Sequence, residues 1–278
     1  MTTVELDSEA RTRQPRALIV TTYGLYARAV DGWLSVASLV TLMAQLDVED
    51  AAVRSAISRL KARGILTALR QNGVAGYSLT PKGRAILDAG DQRIFDRSRP
   101  LLEDGWLLAV YSVPESERHQ RHQLRSRLAW LGFGTVAAGA WIAPRHLEAE
   151  TRAVLQEHRL DSYVRLFPAQ YRESDLPALV AQWWDLDSLA AMYEHFVAVH
   201  QPVARKWRRS SAPEPPSAYA DYVATLTAWR QLPYHDPGIA PELLPRGWKG
   251  ARAATLFDDI ADSTAVAAHA FVGAVLRR

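Results

Sequence analysis

The segment that most constrains the fold is residues 47–66, DVEDAAVRSAISRLKARGIL. On a helical wheel its apolar side chains fall on one side, and these are Val53, Ala56, Ile57 and Leu60. The opposite side carries arginine, serine and alanine. This pattern predicts an amphipathic helix, with Asp47 as its expected N-cap and Gly64 as its expected C-cap residue.

Further helical patterns and a hairpin signal surround this segment. PRALIVTTYGLYARAV predicts a helix whose core-facing residues are Leu18, Val20, Thr21, Leu25 and Val30. DGWLSVASLVTLMAQL predicts a second helix capped by Ser35. Asn72-Gly73 predicts a tight hairpin, and Thr80-Pro81 starts a fourth helix that is expected to end near Ala89. Three helices followed by a hairpin predict a winged helix-turn-helix over residues 15–90, whose third helix would enter the major groove of DNA.

The charges of the chain are concentrated in this region. The formal net charge is only +3, but residues 51–87 contain seven basic residues and no acid. The seven are Arg54, Arg59, Lys61, Arg63, Arg70, Lys82 and Arg84. Residues 101–170 and 171–278 are close to balanced. A single basic segment in a nearly neutral chain is a candidate contact surface for nucleic acid.

The exposed side of the third helix supplies the candidate DNA contacts. Arginine and serine side chains bind base edges, so the predicted base contacts are Arg54, Ser55, Ser58 and Arg59. Lys61 and Arg63 are predicted to contact phosphates, and Arg70 and Asn72 lie where a wing would touch DNA. Glu49 and Asp50 are expected to start the helix rather than touch DNA. The alternative is an ordinary solvated helix face.

The rest of the chain predicts two further domains after a polar linker over residues 91–104. Residues 105–170 follow the order βαββαβ, which is that of a ferredoxin-like domain. Residues 171–278 read as helices separated by proline-rich breaks, among them SAPEPPS and YHDPGIAPELLPRGWKG. The expected fold class is therefore multidomain α+β, with a helical C-terminal domain over residues 171–278.

Four segments of the chain resemble the PaaX family of bacterial repressors of phenylacetic acid degradation and related aromatic catabolism. They are GWLSVASLVTLMAQLDVEDAAVRSAISRLKARGIL, YSLTPKGR, VYSVPESERHQRHQLRSRLAWLGFG with GAWIAP, and YHDPGIAPELLPRGWKG. The resemblance extends from about Pro15 to Ala253. It implies a homodimeric repressor with a Cas2-like middle domain, which binds an inverted-repeat operator in double-stranded DNA. It also implies release from DNA by an aryl-CoA thioester such as phenylacetyl-CoA.

Candidate effector-binding residues lie in the middle and C-terminal regions. They are Arg118, Arg121, Arg125, Trp184, Tyr193, Arg230, His235, Trp248 and Lys249. The three arginines and His122 form a helical stripe that would hold CoA phosphates or extra DNA, unless it is a solvated face paired locally with Glu115 and Glu117. Aromatic residues crowd the C-terminal region and would suit an aryl group, unless they simply fill a core. The crowd comprises Trp183, Trp184, Tyr193, Trp207, Trp229 and Trp248, with Arg246 as a further anchor.

Two rival functions belong to other classes. Cas2 nucleases place a metal-binding aspartate at the end of the first strand of this domain, whereas the corresponding segment here, residues 109–113, has no acid. His119 and His122 have the spacing of some metal ligands but no evident third ligand. We therefore expect no catalytic residue, metal or cofactor. The other rival is a DNA-binding scaffold that responds to no effector.

Cysteine and targeting signals indicate the compartment. The chain has no cysteine, which suits a reducing cytosol. The first sixteen residues, MTTVELDSEARTRQPR, contain no apolar core of a signal peptide, and no run of eighteen apolar residues follows. The expected location is cytoplasmic, without a membrane partner.

Overall fold

The computed structural model describes residues 14–95, 101–171, 175–210 and 213–277. Most of the opening MTTVELDSEARTRQ lies outside the described residues. Parts of the predicted linker and of SAPEPPS lie outside them as well. The chain forms two compact units. The first contains the described residues of Met1–Asp96, Glu194–Arg230 and Gly250–Arg278, and the second those of Arg97–Tyr193 and Gln231–Lys249.

The N-terminal part of the first unit is a winged helix. Its helices are α1 (Pro15–Thr22), α2 (Val36–Ala44), α3 (Asp50–Ala62) and α4 (Pro81–Phe95). A π-helical turn over Tyr23–Ala27 and a 3₁₀ turn over Arg28–Val30 extend α1. The strands β1 (Trp33–Ser35), β2 (Leu66–Gln71) and β3 (Val74–Leu79) form an antiparallel sheet in the order β1-β3-β2. The predicted three helices and hairpin are confirmed.

Local signals begin and end these elements as the sequence predicts. The Ser35 side chain accepts a hydrogen bond from the Ser38 amide at the start of α2. Thr80 accepts one from the Gly83 amide at the start of α4, with Pro81 at the first helical position. Asn72 and Gly73 have φ values of 50° and 83°, which are typical of a type I′ hairpin turn.

Four details of the winged helix differ from the prediction. Glu49, not Asp47, is the N-cap of α3, because Asp47 adopts a left-handed conformation with φ 56°. Val30 is 43% exposed, since the chain has left the α-helix before reaching it. α4 continues past Ala89 to Phe95. Trp33 begins an unpredicted third strand, which pairs with β3.

C-terminal helices complete the core of the first unit. They are the part of α8 (Leu186–Arg208) from Glu194 onward, α9 (Pro215–Trp229) and α10 (Gly250–Leu276). The Thr22 and Tyr219 hydroxyl oxygens lie 3.1 Å apart, and the Thr227 hydroxyl donates to Thr21 at 2.8 Å. Both contacts are buried and join α9 to α1. Buried polar groups need hydrogen-bond partners, and the hydroxyl groups of α1 and α9 supply them to one another.

The second unit contains the predicted βαββαβ order. Its elements are β4 (Trp106–Tyr111), α5 (Arg118–Trp130), β5 (Gly134–Ala137), β6 (Ala140–Pro144), α6 (Glu148–Glu157) and β7 (Val164–Ala169). The sheet order is β5-β6-β4-β7 with antiparallel neighbours, as in a ferredoxin-like domain. Its main core packs Leu107, Ala109 and Trp141 of the sheet with Leu124 and Leu128 of α5.

Helix α7 (Leu176–Trp183) and the segment Gln231–Lys249, here called the strap, form a second core with residues of this sheet. Trp106 and Ile142 are buried with Val180 of α7 and Leu243 of the strap. At Gly132, φ is 93° and an added Cβ would lie 3.0 Å from Pro237 of the strap, so a side chain there would be strained. The residues of the predicted single C-terminal domain, 171–278, are thus distributed over both units, because α9, α10 and the end of α8 complete one core while α7 and the strap complete the other.

The final helix is apolar for a different reason from a membrane span. Its length of 27 residues and the mean hydropathy of 1.2 in its most apolar window would be enough for a helix that crosses a membrane. Its residues at helical spacing, however, are buried in the first unit, namely Leu256, Ile260, Thr264, Ala268 and Val272. This periodic burial is typical of a core helix rather than of a lipid-facing one.

A buried histidine in α8 predicts that the first unit loses stability in mild acid. His200 is 6% exposed, its Nδ1 lies 3.2 Å from the Thr225 hydroxyl, and burial lowers its pKa from 6.5 to about 4. Between these two pH values the unfolded chain binds more protons, so stability present above pH 6.5 is lost as the pH falls. From pH 7 to pH 5 the expected loss is about 2 kcal/mol of unfolding free energy, measured by urea denaturation.

The control is the exposed His119, whose substitution His119→Gln should leave the pH dependence unchanged. His200→Gln should flatten the decline between pH 7 and pH 5. An equal decline in parent and His200→Gln would show that other groups cause it.

Candidate DNA-binding interface

Helix α3 has one buried and one exposed face. Val53, Ala56, Ile57 and Leu60 are buried in the core of the first unit. The predicted base-contact residues Arg54, Ser55, Ser58 and Arg59 are all exposed, as is Ala62. The structure therefore brings the predicted base-contact residues together on one open helix face. Serine and alanine have short side chains, so a partner can approach the helix closely.

Arg54 is paired within its own helix. Its Nε and Nη2 atoms donate to the two carboxylate oxygens of Asp50 at 3.1 and 2.6 Å. These hydrogen bonds hold the pKa of Asp50 below its usual value and raise that of Arg54. Asp50 thus does more than begin the helix, because it also orients the guanidinium and offsets its charge. The i, i+4 spacing of an acid before an arginine was the sequence signal for this pair.

The C-terminal half of α3 retains its charge. Within the described part of the chain, Arg59 and Arg63 have exposed side chains with no ion-pair partner. Lys61 lies with its Nζ 5.9 Å from the centre of the Tyr77 ring, and Lys82 donates to the Arg63 carbonyl at 3.3 Å. Positive charge therefore concentrates where α3 meets the sheet, away from the acids at its N-terminus.

The hairpin of β2 and β3, here called the wing, is held by a residue that the sequence prediction missed. Trp33 donates from its indole Nε1 to the Leu69 carbonyl at 3.0 Å. A Cβ on Gly76 would lie only 2.4 Å from the Trp33 ring, so glycine is needed for the ring to pack there. An isolated glycine within a strand pattern was the signal for this close approach.

The two predicted wing contacts lie at its tip. Arg70 is exposed and donates from Nη1 to the Gly73 carbonyl at 3.1 Å, which ties it to the turn. Asn72 is exposed in the left-handed conformation of the turn. The structure thus places Asn72 in the turn of the wing and Arg70 near the end of β2, next to that turn.

The predicted effector-binding arginines lie on α5 of the second unit. Arg121 donates from Nη2 to the Glu115 carboxylate and to the Val113 carbonyl, both at 2.9 Å. Local pairing was the alternative to ligand binding, and it holds for Arg121. Glu117 instead accepts a hydrogen bond from the Tyr163 hydroxyl. Arg118 and Arg125 are exposed.

The C-terminal aromatic residues do not form one cluster. Trp207 and Trp229 belong to the first unit, where Trp229 stacks on Phe257 at 5.1 Å. In the second unit Trp184 stacks on Trp106 at 5.9 Å and donates to the Gly132 carbonyl at 2.8 Å. Tryptophan rings are large apolar surfaces, and these rings are used mainly to fill cores.

The proposed polar anchors are divided in the same way. Arg230 lies in the first unit and donates to the Ala17 carbonyl at 3.3 Å. His235, Trp248 and Lys249 belong to the strap, in the second unit with Tyr193. The structure therefore does not bring Arg230 together with the other predicted effector-binding residues in one unit.

The hydrogen-bonded carboxylate of Asp236 in the strap was not predicted. Asp236 accepts hydrogen bonds from the Tyr193 hydroxyl at 2.6 Å and from the Gly238 amide at 2.8 Å. Burial raises the pKa of Asp236 more than these two bonds lower it. The Trp248 ring meets Tyr193 edge-on at 5.8 Å. Tyr193 and Trp248 thus contribute to a polar and aromatic contact between the strap and α8 within the second unit.

No metal site emerges among the residues that the structure describes. In that part of the chain, no three histidine, aspartate or glutamate side chains are grouped to hold an ion. His119 and His122 are both exposed on α5.

Comparisons with known proteins match three consecutive parts of the chain. Three family models match, described as PaaX-like protein over residues 14–83, PaaX protein central Cas2-like domain over 100–181 and PaaX-like protein C-terminal domain over 184–274. The Transcriptional repressor PaaX of Escherichia coli (strain K12) is 28% identical over 263 residues, covering 92% of this chain and 82% of that protein.

A solved structure supports the fold. The uncharacterised protein Rv0674 from Mycobacterium tuberculosis matches with a TM-score of 0.59 and 21% identity, covering 91% of this chain and 95% of that one. At this identity the likeness concerns the fold alone. The family models rest on sequence and match consecutive parts of nearly the whole chain. On that ground, the chain belongs to the PaaX family.

Proposed function

We propose that this protein is a transcriptional repressor that binds operator DNA through α3 and the wing. The observation that carries the proposal is the exposed arginine–serine face of α3, which has no acid after Asp50, on a helix whose other face is buried. Such a helix in a winged helix fits the major groove. The similar protein from Escherichia coli is named a transcriptional repressor, which supports the same role here.

In this proposal the residues of α3 and of the wing make two kinds of contact with DNA. Arg54, Ser55, Ser58 and Arg59 contact base edges, where arginine binds guanine in a bidentate way. Lys61, Arg63, Arg70 and Asn72 contact the phosphate backbone and set the position of the helix. Arg54 contacts a base either after its hydrogen bonds to Asp50 break or through a guanidinium nitrogen that Asp50 does not hold.

The repressor is proposed to act in the cytoplasm as a homodimer. Two-fold symmetry requires an inverted-repeat operator, with half-sites separated by about one or more turns of the double helix. We assign no catalytic role to the Cas2-like domain, because residues 109–113 carry no acid to hold a metal.

The proposed effector is an aryl-CoA thioester, with phenylacetyl-CoA as the first candidate. Its chemistry is taken from the family to which the chain belongs. The strap carries His235, Trp248 and Lys249 in the second unit, and the Trp248 ring lies 5.8 Å from that of Tyr193. Aromatic rings with a few polar anchors suit a ligand that has an aryl group and phosphates.

Removing Arg59 should weaken operator binding. It is exposed and lacks an ion-pair partner in the described residues, so Arg59→Ala should leave the fold intact. The loss of a bidentate base contact costs about 1–3 kcal/mol, which is roughly a tenfold to hundredfold drop in affinity. Fluorescence anisotropy with a labelled operator measures it. Arg152→Ala on α6, whose arginine pairs with Glu148, is the control. Unchanged affinity of Arg59→Ala would contradict the assignment of α3.

Removing the carboxylate of Asp50 should strengthen binding to DNA of any sequence. Asp50→Asn frees the charge of Arg54 and removes a negative group beside the groove-facing surface. The salt dependence of binding should become steeper by about one ion per helix. Glu49→Gln removes the same charge one residue away, where no side-chain capping bond is made, and should have a smaller effect. Equal effects of the two variants would show that the Asp50–Arg54 pair has no special role.

An aryl-CoA thioester should bind the protein and lower its affinity for the operator. Phenylacetyl-CoA at a hundred times its dissociation constant is expected to stabilise the folded protein by about 2.7 kcal/mol, seen as a higher melting temperature. Free phenylacetate and free CoA are the controls for the two halves of the ligand. If neither calorimetry nor operator competition responds to a panel of aryl-CoA esters, the effector proposal fails and an effector-independent DNA-binding protein remains.

A further inference from the structure

Helix α5 of the Cas2-like domain carries an unusual surplus of positive charge. Its thirteen residues, RHQRHQLRSRLAW, include four arginines and two histidines and no acid. The domain as a whole is neutral, with as many acidic as basic residues over 101–170. The charge of α5 is therefore a local feature of one helix.

The acids that precede α5 do not neutralise it. Glu115 pairs with Arg121, which is also anchored to the Val113 carbonyl. Glu117 is occupied by the Tyr163 hydroxyl. Within the described ranges, Arg118 and Arg125 make no ion pair or side-chain hydrogen bond. Among the described residues Arg127 also has no ion pair, but it is half-buried, so Arg118 and Arg125 are the two exposed and uncompensated arginines of a helix that has no acid of its own.

These arginines lie on one open face. Leu124 and Leu128 bury the opposite side of α5 in the core of the domain. The outer face repeats at helical spacing through Arg118, His122, Arg125 and Ala129, all of which are exposed. We call these four residues the α5 face. Ser126 and Ala129 are small, so nothing bulky stands between the arginines and a partner.

The shape and spacing of this face favour a polymer over a small molecule. Small ligands bind in concave pockets, whereas the α5 face is the outward side of a helix. Arg118 and Arg125 are seven residues apart, about 10 Å along the helix axis. A strand of duplex DNA places a phosphate every 3.4 Å or so along its axis, so both arginines can meet phosphates of one DNA at once.

We propose that the α5 face is a second DNA-binding surface, which contacts the phosphate backbone of the operator without reading its sequence. This inference rests on the proposed function, since it takes the operator to be the ligand of the winged helix. The contact is electrostatic and adds affinity in proportion to the phosphates neutralised. Recognition of bases remains with α3.

The test uses the full chain and the double variant Arg118→Ala/Arg125→Ala. Operator affinity is measured by fluorescence anisotropy over a series of KCl concentrations, on an operator duplex extended at both ends. Each lost phosphate contact reduces the slope of log K against log salt by about 1, so the slope should fall by about 2 per chain. Affinity for a duplex of unrelated sequence should fall by the same factor as affinity for the operator.

The matched control is Arg145→Ala/Arg152→Ala. It removes the same two charges from the same domain, but both arginines lie beside Glu148, at 3.9 and 2.8 Å. Circular dichroism verifies that both double variants are folded. The control should lower the slope by less than Arg118→Ala/Arg125→Ala does, because its two arginines share the negative charge of Glu148.

Each outcome bears on a separate claim. An unchanged slope in Arg118→Ala/Arg125→Ala overturns the second surface, even where Arg59→Ala still shows that α3 reads the operator. A normal slope combined with lost binding of free CoA would assign the α5 face to nucleotide phosphates and overturn the proposal. A reduced slope beside an unaffected Arg59→Ala would support the α5 face as a DNA contact while the assignment of α3 fails.

Discussion

Burial of α1 on two sides is the constraint on which the first unit depends. On one side α1 packs with α3, and on the other its Thr21 and Thr22 meet Thr227 and Tyr219 of α9. Polar groups removed from water are costly unless they are paired, so these contacts specify how α9 packs on α1. The helix that carries the predicted DNA-contact residues is therefore supported by a core to which the C-terminal end of the chain contributes.

In this arrangement the inner and outer faces of α3 have separate roles. Its inner face is an ordinary apolar ridge, and its outer face is free to carry charge because stability does not depend on it. The pair of Asp50 and Arg54 shows that the outer face is nevertheless organised before any DNA is present. A guanidinium held in place loses less conformational freedom on binding than a free one, which favours a defined contact.

The two faces of the sheet in the second unit are also used differently. One face of the sheet is covered by α5 and α6, and residues of the other share a core with α7 and the strap. Asp236, Tyr193 and Trp248 use polar and aromatic groups to hold the strap to α8. Aromatic residues that look like a ligand pocket in a linear sequence are thereby largely engaged in packing, and the outward side of α5 is left as a charged surface.

Local patterns predicted much of this structure. The helix caps at Ser35 and Thr80, the Asn72-Gly73 turn, the two faces of α3 and the βαββαβ order depend on residues close in sequence, and all were confirmed. Local patterns failed where a distant segment decides the outcome. Val30 looked apolar enough to be buried, and the strand that begins at Trp33 was not predicted, because its partner β3 lies far along the chain.

The sequence by itself determined which elements form and which faces are apolar, because periodicity and turn chemistry act over a few residues. Only the tertiary structure decided that residues 171–278 divide between two cores, that Arg230 and Tyr193 belong to different units, and that Asp236 meets the Tyr193 hydroxyl. Those outcomes depend on contacts between residues far apart in the chain, such as Thr21 with Thr227. No local pattern encodes which distant surface a helix will meet.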